Sequence, residues 1–481
     1  MPRIGIIGSG FAGVAVATEL LRHGHRDIRL WERAADLGGV WRDNTYPGAA
    51  CDVPSPFYSF SFAPWHGWPQ RYAGQREILR YLHAVAEREG VSERVRLGVS
   101  VESATWDPDA AAWTVTFADG ATEQVEVLIS AVGQLSTPVI PDLPGAADFA
   151  GDSFHTARWP EGFDPAGREI AVIGSAATAV QLVPALAESA ARVHVLQRTP
   201  NYIWWKPDGD YAPWYRPWSR IERPFFRWLG EQFSRAIEEG SFAARVSRGV
   251  TQWQLKRQVK DAALRRALTP DYPIGCKRIL FSNDYYPALQ RPNVDLVTER
   301  IQRLEPEGVR LADGRMLRAD TVVYATGFAA QSFLHGIRIT GSVGEELHDR
   351  WAEGARAHRG MYVPGFPNLV LMYGPNTNLG GSSILLMLEA QAAHARRVID
   401  RLTATGASSV EPTVEAEARW DDDVQGALAT TAWSSCGNWY RHPGSDRVTS
   451  NWPGGTTSYV RVMQGLDPHE FTWDRVTAVV G

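Results

Sequence analysis

Cysteine is almost missing from this chain of 481 residues: there are three, Cys51, Cys276 and Cys436. Three thiols cannot build a disulfide framework, and no two stand at the Cys-x-x-Cys spacing of a zinc site. No His-Glu-x-x-His run occurs, so no metal is expected. Cys51 and Cys276 read as packing residues. Lysine is nearly as scarce, with Lys206, Lys256, Lys260 and Lys277 among 49 basic residues, so a lysine inside a motif stands out. An excess of positive charge is absent too: the formal net charge is −5, against a nucleic-acid partner. No apolar run approaches the ~20 residues that cross a bilayer, and MPRIGIIGSG carries no charged leader. The expected setting is the cytoplasm, with no membrane partner.

What is present is ordinary globular composition, 44% hydrophobic and 21% charged, in a chain long enough for two or three domains. RIGIIG reads as a buried strand, GSGFAGVAVATELLRHGH as a helix and DIRLWER as the next strand. Between that strand and helix stand Gly8, Gly10 and Gly13. The pattern supplies a tight turn, a backbone that can approach a pyrophosphate, and close helix–strand packing. The following helix would direct its N-terminal dipole at the phosphates. Glu32 closes the second strand about 20 residues on, where a carboxylate can accept from ribose hydroxyls.

The unit repeats. EIAVIG, SAATAVQLVPALAESA and RVHVLQR form a second β–α–β pattern, with Gly174, Ala176 and Ala179 in the glycine frame and Thr178 among them. Alanine at the second position adds a methyl where a pyrophosphate would approach. Arg198, followed by Thr199, stands where the first unit has an acid, and an arginine there suits a 2′-phosphate. One chain holding FAD and NADPH is the expectation. Residues 208–270 read as a helical insertion, and the aromatic run 201–228 as either a helical core or a lining for an apolar substrate. The fold class is α/β: two Rossmann-like domains with parallel sheets plus that insertion. Residues 1–150 and 316–481 would form the first domain and 151–315 the second.

Between the two units lies FAGDSFHTARWP, with spacing that suits neither a helix nor a strand. Phe149, Gly151, His155, Trp159 and Pro160 fill the FxGxxxHxxxWP fingerprint of type I Baeyer–Villiger monooxygenases, and the chain resembles that family. GGVWRDNTYPGAACDVPS (38–55) resembles its flavin-side loop, with Trp41 and Asp52. YPIGCKRILFSNDYYPALQRPNV (272–294) resembles the segment of its catalytic arginine, here Arg278, beside a 2′-phosphate lysine, here Lys277. VLQRTPN, VVYATGF, FPNLVLMYGPNTNLGGSS and CGNWY extend the likeness over nearly the whole chain, the last placing Trp439 over the nicotinamide.

The resemblance implies NADPH- and O2-dependent insertion of oxygen beside a ketone carbonyl, through a C4a-peroxyflavin, to give an ester or lactone. The substrate would be a small molecule, an apolar cyclic or aryl ketone. Arg278 would hold positive charge beside the developing anion, Asp52 would hold Arg278, and the fingerprint would be a hinge with His155 in it. The chain departs from the family at Ala176 and Ala179, and is shorter than many members. The alternative is a flavin monooxygenase that oxidises nitrogen or sulfur; its fingerprint does not end in Trp159–Pro160. A flavin disulfide reductase would need a second cysteine near Cys51. Oligomeric state stays open.

Overall fold

The computed structural model describes residues 1–235 and 238–475. Its centre is a pair of parallel five-stranded sheets. The first runs in the spatial order Leu369–Leu371, Val127–Ser130, Ile4–Ile7, Ile28–Glu32, Val95–Leu97. The second runs Val294–Val297, Arg192–Leu196, Glu169–Ile173, Thr321–Tyr324, Asp152–His155. Both are buried on two faces, which is why their central strands are unbroken apolar runs. Side-chain alternation divides each run between two cores. Ile4 and Ile6 face one cluster and Ile7 another, just as Ile170 and Val172 face away from Ala171 and Ile173.

Helices cover the first sheet. Phe11–Arg22 packs on the long helix Ile384–Thr405, which ends at Gly406 in the left-handed conformation. The meander Val101–Asp107, Ala112–Phe117 and Thr122–Val125 pairs antiparallel and takes Arg338–Thr340 at its edge. The chain thus leaves the first unit and returns to it after the second. Helices Glu222–Ser234, Phe242–Gln258 and Ala262–Ala267 form the insertion. Among the described residues no helix is long and apolar enough to cross a membrane.

Two expectations need correction. Thr321–Tyr324 pairs with Glu169–Ile173, so the second unit runs past the boundary at 315 and includes the strand before the ATG turn. The fingerprint also holds regular structure after all: Asp152–His155 is the edge strand of the second sheet, in register with Thr321–Tyr324, and Thr156–Arg158 is a 3₁₀ turn. Four residues in a row with few apolar side chains give no strand signal, because an edge strand is held by backbone pairing on one side only.

Gly151 shows how closely this edge is packed. A Cβ there would lie 2.1 Å from the Asp320 carbonyl oxygen. Gly151→Ala is expected to cost about 1–3 kcal/mol, the range for overpacking, read as a lower urea midpoint. An unchanged midpoint would mean the edge is looser than this geometry.

Candidate active site

The first glycine turn is built for a backbone-held anion. Gly8 has φ +100°, and a Cβ on Gly13 would lie 2.1 Å from the Gly8 carbonyl oxygen, so helix and strand can meet only if residue 13 lacks a side chain. Helix Phe11–Arg22 begins at Gly10 with no side-chain cap, which leaves its first N–H groups available. Glu32 is buried at the strand end. Its Oε2 accepts from Ser9 N (3.1 Å) and Ser9 Oγ (2.9 Å), while Oε1 accepts from Ala34 N and pairs with Arg42 at 3.0 Å. The carboxylate therefore locks the turn, and a ribose hydroxyl would replace one of these partners. Trp41 donates to the Tyr58 hydroxyl at 3.1 Å in the loop that follows.

The second turn repeats the shape. Gly174 has φ +115°, where a Cβ would lie 2.4 Å from the Ala325 carbonyl oxygen. Ala176 is exposed at the uncapped start of helix Ala177–Ser189. Beyond the next strand, Arg198 is exposed and Lys277 half-buried, and neither makes an ion pair among the described residues. Burial, followed by the charge of Arg198, lowers the Lys277 pKa. The charge of one cation thus acts on the other with no carboxylate paired to either among the described residues. Thr199 lends its carbonyl oxygen to Ser175 Oγ at 3.2 Å, tying the phosphate-side strand end to the glycine turn.

The two units meet through the loop at 46–52. Tyr46 donates to Gln181 Oε1 (2.8 Å) and Gln181 Nε2 donates to the Ala50 carbonyl (2.8 Å), with Thr178 also at the Tyr46 hydroxyl. That clamp sets Asp52 opposite Arg278, whose Nη2 donates to Asp52 Oδ1 at 2.5 Å. Asp52, first among the causes, raises the Arg278 pKa against the opposing effect of burial. Arg278 keeps 45% of its side-chain surface accessible, yet Cys51, Tyr373 and Tyr440 lie close enough to feel its charge. It faces an internal cleft, not open solvent.

Tyr440 was not readable as a site residue in the sequence. Its phenol meets the Arg278 backbone and Asn451, and burial pushes its pKa up to about 12. The signal was its place in CGNWY, overshadowed there by Trp439. Trp439 is 43% exposed, its ring tilted against that of Tyr440 with centroids 4.1 Å apart, and it accepts from Gln331 through its carbonyl.

The packing reading of Cys276 is wrong: Cys276 and Cys436 form a disulfide. It ties the Lys277–Arg278 segment to the loop of Trp439 and Tyr440, across 160 residues. Sequence separation on that scale hides a pairing that only the fold brings about. Cys51 is the buried free thiol, its pKa pushed up to about 12 by burial and by Asp52, and it does pack.

His155 stands apart from this cluster. No hydrogen bond or ion pair joins it to Asp52 or Arg278 among the described residues. Its Nδ1 accepts from Ala157 N at 3.1 Å, its other side faces the Gly327 carbonyl, and its ring packs on Phe328. Burial lowers its pKa, and the ring stands between the strand end and the ATG turn. Phe149 packs with Leu304 and Val309 on the other face of the sheet. Trp159, followed by Pro160, packs edge-on against Phe154 and Phe163.

Two dinucleotide turns around one charged cleft define a two-nucleotide oxidoreductase. A family model described as pyridine nucleotide-disulphide oxidoreductase matches residues 2–208. A Baeyer–Villiger monooxygenase of Streptomyces coelicolor is 37% identical over 98% of this chain and 92% of that protein. Among solved structures, an oxidised steroid monooxygenase bound to NADP matches with TM-score 0.90 and 29% identity, over 98% of this chain and 99% of that one. The OTEMO complex with FAD and NADP matches with TM-score 0.90 and 27% identity over the same shares. The chain belongs to the Baeyer–Villiger monooxygenase family and is an oxidoreductase.

The thiol pattern is open to direct measurement. Titration of unfolded, unreduced protein should find one thiol, Cys51, and three after reduction. Three thiols without reductant would remove the covalent tie between the Arg278 segment and the Tyr440 loop.

Proposed function

We propose that this chain converts a ketone, O2 and NADPH with a proton into an ester or lactone, water and NADP⁺, and that the ketone is an apolar cyclic or aryl one. The Asp52–Arg278 pair at the seam of the two units carries this reading. The first turn fits FAD: it has no room for a Cβ at Gly8 or Gly13, its helix is uncapped, and Glu32 is at hand. The second fits NADPH, with Arg198 and Lys277 placed for a 2′-phosphate. Bound FAD would supply the redox chemistry, taking hydride from NADPH and passing one oxygen atom of O2 to the substrate.

The protein's part is electrostatic. Arg278 stays protonated throughout, and its guanidinium can meet the carbonyl oxygen of a ketone as negative charge develops there. Asp52 fixes its direction. Cys51, Tyr373 and Tyr440 line the same space, and a substrate filling it would displace the water that now reaches Arg278. The fingerprint serves as hinge: His155 joins the edge strand of the second sheet to the crossing at Gly327 and Phe328, through which the chain leaves that unit.

Arg278→Ala should lower ester formation by about 10²–10³-fold, the scale for losing an oxyanion donor, while NADPH consumption continues. Gas chromatography of products against NADPH consumed reads this directly, with cyclic and aryl ketones tried beside sulfides and amines. Sulfoxides or N-oxides with ketones untouched would replace the proposal with heteroatom oxidation. Arg198→Ala with Lys277→Ala should raise KM for NADPH about 10–100-fold, one or two charge-assisted hydrogen bonds, and leave KM for NADH unchanged. A parallel rise for both nucleotides would place the 2′-phosphate elsewhere.

A further inference from the structure

The insertion carries a surface that the chemistry above does not use. Trp214, Trp218, Ile221, Phe225 and Trp228 are 74%, 58%, 59%, 56% and 58% exposed. They recur at steps of three and four: Trp214 just before the 3₁₀ turn Arg216–Ile221, Trp218 and Ile221 within it at i, i+3, and Phe225 and Trp228 at i, i+3 on one face of the helix Glu222–Ser234. The rings of Phe225 and Trp228 touch, with centroids 6.2 Å apart. Soluble proteins seldom leave so much contiguous apolar surface to water. The opposite face is fully engaged: Phe226, Gly230 and Ser234 are buried in the body of the protein.

Charge is sorted in the same way. Glu222 is drawn inward by Arg71 at 3.2 Å and by the hydroxyls of Tyr211 (2.6 Å) and Tyr215 (2.9 Å). Glu231 is held by Thr456 and by Thr457 N at 2.9 Å. Arg223 turns in to the carbonyls of Pro56 and Ser59. Arg220 and Arg227 are left exposed beside the stripe, and neither makes an ion pair among the described residues. The next helix, Phe242–Gln258, contains no acid and repeats the theme: Phe242, Val246 and Trp253 are exposed, with Arg245, Arg248 and Lys256 exposed alongside. A chain of net charge −5 thus presents an apolar, cationic patch on the helix Glu222–Ser234 and the turn before it, and the next helix repeats that composition.

We infer that this patch docks the enzyme peripherally on an anionic lipid bilayer, with the tryptophan and phenylalanine side chains at headgroup depth and the arginines on lipid phosphates. Tryptophan favours that layer because its ring is apolar and its N–H is polar, and a basic amphipathic helix lies in it without crossing. Charge disfavours a second copy as the occupant. A two-fold contact on this face would bring Arg220 and Arg227 toward the same arginines, and the exposed acids Glu238 and Glu239 lie beyond the end of the helix at Ser234. The inference does not depend on which substrate the active site takes.

Flotation of the FAD-loaded enzyme with vesicles of phosphatidylcholine, with and without phosphatidylglycerol, tests it. The enzyme should float with the anionic vesicles, with a blue shift of its tryptophan emission, and should be partly released by high salt. Trp218→Ser with Phe225→Ser and Trp228→Ser should lower the bound fraction at least about tenfold. Its flavin content and substrate-free NADPH oxidation should match the parent, as controls for folding. Arg220→Glu with Arg227→Glu should abolish the preference for anionic lipid. No flotation on anionic vesicles, or flotation that neither variant changes, would overturn the inference. So would a concentration-dependent dimer, seen without vesicles and abolished by the serine variant, which would assign the stripe to self-association.

Discussion

The contact between Asp52 and Arg278 is the constraint around which the rest is arranged. It joins residues 226 apart in sequence, one from each dinucleotide unit. A guanidinium held in a cleft by a single carboxylate has charge to spare for a third partner, and that is useful only if its direction is fixed. Several independent devices fix it. Gln181 clamps the loop before Asp52. The parallel pairing of Ile203–Trp204 with Leu280–Phe281 steadies the chain after Arg278. The Tyr202 and Tyr272 hydroxyls bond to the Tyr272 and Pro200 carbonyls, and the disulfide reaches across to the Tyr440 loop. None of these touches the substrate space; all of them decide where Arg278 points.

The two glycine turns show one backbone solution serving two electrostatic purposes. At the first, Gly13 permits the closest approach of helix to strand, and the acid Glu32 is spent largely on the turn itself. At the second, Ala179 stands in the frame of Gly13 and its methyl is fully buried. There Arg198 and Lys277 make no ion pair among the described residues, and an anion between them would relieve their mutual repulsion.

The insertion is divided by the same economy of burial. Its inward face engages Glu222 and Glu231, through Arg71, Tyr211, Tyr215, Thr456 and Thr457, and its outward face leaves tryptophan and arginine exposed. An aromatic run such as 201–228 could be read as core or as substrate lining. Burial resolves it otherwise: Tyr211 and Phe226 are core, Trp204 packs on Phe233, and the tryptophans at 214, 218 and 228 are neither.

Much of this protein could be read from local pattern. The β–α–β units announced themselves because a strand buried on both faces must be an apolar run and a glycine turn tolerates few substitutes. Arg198 was legible from its place at a strand end, and Asp52, Arg278 and Lys277 from segments resembling a family. The edge strand at Asp152–His155, the second-unit strand at Thr321–Tyr324, the pairing of Cys276 with Cys436 and the role of Tyr440 were not. Each depends on a partner distant in sequence, and backbone pairing, a disulfide or a shared cleft leaves no local periodicity. Local pattern carries the two nucleotide folds and the inventory of charges. Which charges meet, that Arg278 finds Asp52 while Arg198 and Lys277 make no ion pair among the described residues, and which aromatic face is left outward all depend on closing the chain on itself.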